Sequence, residues 1–102
     1  MVSEKITINN PAGLHLRPAG KISSMAAAYQ SSIRLYKGKK TADAKSLLAL
    51  LGACIKFGDE VECICEGEDE EAALAAVTGL IRNGFQDDAE STGEDTGNGS
   101  FG

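Results

Sequence analysis

Gly13-Leu14-His15-Leu16-Arg17-Pro18-Ala19 stands between two kinds of hydrophobic periodicity. Before it, Val2, Ile6 and Ile8 fall on one side of a period-two pattern, which predicts a strand over residues 2–8. After it, Ala19, Ile22, Met25, Ala26 and Tyr29 recur at helical spacing, which predicts a helix from about Leu16 to Ala28. Asn9-Asn10-Pro11-Ala12-Gly13 reads as loop on its turn residues. Pro18 has no N–H and a preset φ, so it suits the first turn of a helix and not its interior. His15, the one histidine of the chain, therefore sits where free backbone N–H groups and the positive end of the helix dipole point. Such a place suits phosphate. Arg17 adds a rigid fork of donors that matches phosphate oxygens.

The remaining segments follow outward from there. Ile33 and Leu35 alternate with Arg34 and Tyr36 as a second strand, and Lys37-Gly38-Lys39 turns the chain into a short third strand through Ala44. Ser46 precedes Leu47-Leu48-Ala49-Leu50-Leu51, and a serine at that place caps a short helix. Leucines run all the way round this helix, so either it is buried or part of it is an interaction face. Val61, Cys63 and Cys65 alternate with Glu60, Glu62, Ile64 and Glu66, a half-buried strand between Gly58 and Gly67. Asp69, Glu70 and Glu71 load the first turn of a last helix with acid, which suits its dipole. Ala73, Val77, Leu80 and Ile81 form its apolar stripe, and Gly84 fits the C′ stop. The order strand-helix-strand-strand-helix-strand-helix, with short connections, predicts an α+β fold: an antiparallel sheet with helices on one face.

A chain of 102 residues supports one small domain. That domain is expected over residues 1–85, followed by an acidic, disordered tail over residues 86–102. Residues 1–56 carry nine Lys/Arg against two Asp/Glu, and residues 57–102 carry one against thirteen. Up to Phe85 the charges balance at ten against ten, so the five acids beyond it supply the whole net charge of −5. The bases are scattered, with only Tyr29, Tyr36 and Phe57 among the front half's neighbours able to stack, so nucleic acid is not expected as a partner. No apolar run reaches about 18 residues, so membrane insertion is not expected. The start lacks a basic stretch followed by an apolar core, so a cytoplasmic location is expected.

Three cysteines, Cys54, Cys63 and Cys65, make a poor disulfide framework. Cys63 and Cys65 face the same side of a strand and read as small buried hydrophobes. Their spacing is not that of a redox motif, and no metal or cofactor is expected, since a metal needs about four ligands and His15 lies far off in sequence. A protease-like arrangement would need a nucleophile, a base and an orienting group, and the sequence shows no such set. What a single histidine can do is accept a phosphoryl group and give it up again. A neutral imidazole attacks phosphorus, and the helix end with Arg17 can hold the charge on the three oxygens.

The motif Gly13-Leu14-His15-Leu16-Arg17-Pro18-Ala19 resembles the active-site motif of the HPr family, the histidine-containing phosphocarriers of the bacterial phosphoenolpyruvate-dependent phosphotransferase system. Lys45-Ser46-Leu47 is similar to the family's regulatory-serine segment, and Gly58, Gly67 and the last helix fall where the family places them. The resemblance spans residues 2–85. It implies an open-faced sandwich of a four-stranded antiparallel sheet under three helices, in the order βαββαβα. It implies that His15 accepts the phosphoryl group on its δ nitrogen from the first enzyme of the system and passes it to an EIIA-type acceptor domain, in sugar uptake or its regulation. Such a chain is a carrier with a phosphohistidine intermediate rather than a self-sufficient enzyme, and a monomer is expected.

By the same resemblance Arg17 orients the phosphoryl group, Gly13 and Pro18 shape the active-site turn, and Leu16, Leu47, Leu48 and Leu51 form the docking surface. Ser46 carries two readings, an ordinary N-cap and a site for a regulatory serine kinase, whose phosphate would weaken docking. The chain departs from the sugar-pathway pattern in places. Leucines replace the methionines often seen in the second helix, Cys54 stands where glycine is frequent, and the ending is closer to the nitrogen-related branch. A second function class remains beside the carrier: a regulatory protein on the same fold that acts by docking alone, controlled through Ser46.

Overall fold

The computed structural model describes residues 1–85; the tail expected over residues 86–102 lies outside the described residues. The elements are β1 (Val2–Thr7), α1 (Leu16–Ala27), β2 (Ser32–Lys37), β3 (Lys40–Asp43), α2 (Leu47–Gly52), β4 (Glu60–Glu66) and α3 (Glu70–Arg82). All three strand pairings are antiparallel. The sheet order is β1-β4-β2-β3, so the last strand inserts between the first two. The architecture is the α+β open-faced sandwich, four strands under three helices. None of the described helices is long and apolar enough to cross a membrane.

The alternation in β4 explains its central place. Val61, Cys63 and Cys65 are buried beneath the helices, while Glu60 and Glu66 are exposed. Both cysteines are fully covered, and burial pushes each thiol up. Each is a small hydrophobe flanked by partner strands, Cys65 opposite Val2 and Ile33, Cys63 opposite Glu4 and Leu35. Helices close the same face with Ala19, Ile22 and Ala26 from α1, Leu50 from α2, and Ala73, Val77 and Ile81 from α3. Leu50 is fully buried.

Two differences from the sequence reading have local causes. The first strand's ladder stops at Thr7, one residue short. Ile8 leaves the β4 register but stays buried, because its N–H donates to Asp59 O and its carbonyl accepts from Gly58 N. Asp69 is not simply a dipole-matched acid in α3. It is the N-cap residue, and its carboxylate turns away to accept from the backbone N–H groups of Gln30 and Ser31, 2.9 Å each, and from the Ser31 hydroxyl. At the other end Gly84 N bonds Ile81 O and Phe85 N bonds Leu80 O, both at 3.0 Å. That pair of bonds is a Schellman stop, with Gly84 at C′.

Candidate functional site

His15 is the N-cap residue of α1, with extended backbone (φ −96°, ψ −168°), and its carbonyl accepts the first helical bond from Ala19 N at 3.0 Å. Its side chain does not cap the helix. The N–H groups of Leu16 and Arg17 therefore have no acceptor within the helix, and Pro18, third in line, brings none that needs one. Pro18 and Ala19 are buried, whereas His15, Leu16 and Arg17 are exposed. An exposed imidazole thus stands at the positive end of a 12-residue helix that has no acid in its first turn.

A clasp between two loops puts it there. Leu14 N donates to Ile55 O at 3.0 Å, and Leu14 itself is buried. Gly13 N donates to Asn10 O, and the Asn10 amide donates back to Gly13 O at 2.7 Å. Gly13 has φ +69°, and a Cβ there would lie 2.8 Å from Lys56 Cα and 2.9 Å from Ile55 O. Only glycine lets the backbones approach this closely. The opposite loop is fixed in turn. Cys54 holds φ +54°, a left-handed conformation costly for a side chain. Its carbonyl accepts from Lys37 Nζ at 2.8 Å, and the same ammonium lies 2.8 Å from Asp59. The Lys37 hydrogen bond, followed by the Lys56 N–H, holds the Asp59 carboxyl below its ordinary value.

Beside His15 runs a shallow groove. Leu16, Met25, Leu47 and Leu80 form its apolar lining, and Arg17 and Lys21 supply its charge. Of the four leucines expected at the docking surface, Leu16 and Leu47 meet here. Leu48 is 81% exposed and lies outside the groove, as does the half-buried Leu51. Among the described residues no carboxylate pairs with Arg17. Ser46 caps α2, its hydroxyl accepting from Ala49 N at 3.2 Å.

Some of these neighbours escaped the sequence reading. Met25 falls in the predicted apolar stripe of α1, yet it is half-buried and lines the groove. Leu80 and Lys21 come from helices 59 residues apart in number, and no local pattern announces that they meet. The C-terminal end of α3 reaches the same region: Lys21 Nζ donates to Phe85 O at 2.6 Å, and the Asn9 amide donates to Arg82 O at 3.2 Å. Phe57, in the loop that clasps Gly13, is 61% exposed.

The comparisons with known proteins agree on one family. Residues 2–83 match the family model described as the PTS HPr component phosphorylation site. The phosphocarrier protein NPr of Escherichia coli (strain K12) is 35% identical over 88 residues, covering 85% of this chain and 98% of that protein. The crystal structure of HPr-C-His from Thermoanaerobacter tengcongensis has a TM-score of 0.82 and 34% identity, covering 87% of this chain and all of that one. The phosphoryl donor subunit DhaM of a PEP-dependent dihydroxyacetone kinase, from Providencia stuartii (strain MRSN 2154), is 33% identical over 89 residues. This chain spans only 19% of that protein's length.

Proposed function

The chain belongs to the PTS HPr family and is a phosphocarrier of the phosphotransferase system, and from that premise we propose that His15 is the residue that carries the phosphoryl group. The observation that carries this reading is the exposed, uncapping imidazole at the N-terminus of α1 with Arg17 two residues on. A lone pair on the imidazole attacks phosphorus as the donor's bond to phosphorus breaks. The new charge sits on three oxygens beside open N–H groups and the Arg17 guanidinium. Gly13 and Pro18 shape the turn that holds the ring there.

In this reading the phosphoenolpyruvate-driven first enzyme is the donor and an EIIA-type domain is the acceptor. Leu16 and Leu47, with Leu48 and Leu51 further round α2, meet both partners by their apolar surface, and the exchange takes place in the cytoplasm. The likeness to NPr favours the nitrogen-related branch, and the likeness to DhaM makes a dihydroxyacetone-linked acceptor the next to try. Ser46 already has work as a cap. A serine kinase acting there would place two negative charges at the edge of the docking face and weaken association.

The test is labelling with phosphoenolpyruvate and purified first enzyme. The expected result is an acid-labile, base-stable label that His15→Ala abolishes. Continued labelling of the His15→Ala protein overturns the assignment. The docking-only alternative predicts the opposite pattern: no label on the native chain, and partner affinity that changes with Ser46 variants but not with His15→Ala.

A further inference from the structure

Cys54 enters the loop before β4 at φ +54°, a conformation that a residue with a Cβ keeps only where its surroundings impose it. Its own side chain does not impose it, since the thiol is exposed. The carbonyl is what is held. Cys54 O accepts from Lys37 Nζ at 2.8 Å, and the next carbonyl, Ile55 O, accepts from Leu14 N at 3.0 Å. Lys37 is the last residue of β2, and the same ammonium lies 2.8 Å from Asp59 Oδ2, which also accepts from Lys56 N at 2.7 Å. One lysine of the sheet thus grips both ends of the loop over residues 54–59. Its side chain and that of Asp59 are each 28% exposed, so the pair is partly shielded from solvent.

We propose that Lys37, braced by Asp59, is a positioning residue for phosphoryl transfer: it fixes the loop over residues 54–59, and through the Ile55–Leu14 bond it fixes the place of His15. The path is short. Leu14 is buried and directly precedes His15, so a shift of Ile55 O passes to the imidazole across one residue. The bonds from Asn10 to Gly13 and from His15 to Gly13 lie within residues 10–15 and move with that turn as a unit. The Leu14–Ile55 bond refers the turn to the sheet instead. Attack on phosphorus needs an aligned ring, and a misplacement of about 1 Å can cost about a hundredfold in rate. Neither Lys37 nor Asp59 lines the groove beside His15, so their effect falls on the transfer step and not on docking. This inference rests on the carrier reading for its consequence, but not for its geometry.

The experiment compares the native chain with a variant carrying Lys37→Met and Asp59→Asn together. That pair of changes keeps the net charge and an acceptor for Lys56 N, and removes both contacts of the ammonium. Phosphorylation by the first enzyme with phosphoenolpyruvate is followed as the concentration of the chain is varied. The expected result is a kcat lowered about tenfold or more with KM within about twofold of native. Lys37→Arg, which keeps the charge and the donors, restores most of kcat, and Lys37→Gln, which keeps only a donor for Cys54 O, falls between. Amide hydrogen exchange gives the second readout. In the double variant the Leu14 N–H exchanges about tenfold faster while the N–H groups of Cys63 and Cys65 in β4 keep their native protection. If the double variant does not fold, Lys37→Gln takes its place in both measurements. Unchanged kcat, a raised KM in place of a lowered kcat, equal losses in Lys37→Met and Lys37→Arg, or unchanged protection at Leu14 overturns the proposal. Faster exchange at Leu14 in a chain that phosphoenolpyruvate never labels would leave the clasp standing and remove the carrier reading instead.

Discussion

Gly13 and Gly79 show how far a residue's meaning depends on what faces it. A Cβ on Gly13 meets backbone atoms of Ile55 and Lys56 inside 3.0 Å, at a φ that side chains rarely adopt. Gly79 lies inside α3 with open space where its Cβ would go. Gly13→Ala is therefore expected to destabilise the fold by about 1 to 3 kcal/mol and to slow labelling at position 15, because the clasp that seats His15 must open. Gly79→Ala should stabilise by about 0.5 to 1 kcal/mol through helix propensity alone. Urea unfolding of both variants checks this, and equal effects of the two would mean that the clasp does not constrain Gly13. Neither outcome can be read from a glycine's place in the sequence. The motif itself points to His15, Arg17 and Pro18 as a unit, but the loop that holds them comes from 40 residues away.

At the scale of elements, α2 depends most on a single side chain. It has six residues, too few for a helix to persist by propensity. Leu50 anchors it to the core and the Ser46 hydroxyl satisfies the Ala49 N–H. Ser46→Ala should cost about 1 kcal/mol, and Ser46→Asp, which keeps a capping oxygen, should recover most of it. Measured unfolding midpoints decide the matter. An unchanged midpoint in Ser46→Ala would show that the cap bond contributes nothing. The same pair separates the two readings of Ser46, since a charge effect on partner binding appears only with Asp. Element positions follow closely from hydrophobic period, because burial on one face enforces it: each strand and helix lies within a residue or two of its expected span. The sheet order was not legible, as antiparallel pairing by itself leaves β4 free to sit at an edge or between β1 and β2.

At the scale of the whole molecule, Asp69 ties the start of α3 to the turn that ends α1 and opens β2, 38 residues earlier. The Ser31 hydroxyl, then the Gln30 N–H, hold its carboxyl at about 2, below the ordinary 3.8. The ionised form therefore stabilises the fold at every pH above the ordinary value, and that contribution drains away as pH falls from about 4 through about 2. Asp69→Asn is expected to unfold at lower urea than the native chain near pH 6, with the gap narrowing near pH 2. A gap that ignores pH would mean that shape, and not the carboxylate's charge, joins the two segments. From sequence the residue reads as one of three acids matched to a helix dipole, a local rule that holds for Glu70 and Glu71 but misses this partner. What the sequence by itself determined is what repeats or is contiguous: the seven elements, the buried face of each, the capping serine, and the histidine at a helix start beside an arginine. Local spacing is enough for these because neighbours along the chain are neighbours in space. The tertiary structure alone decided where β4 inserts, which loop seats Gly13, and which of the leucines share a groove with Met25, Leu80 and Lys21. Those contacts join residues whose separation along the chain carries no period, and only the packing of helices over the sheet brings them within reach.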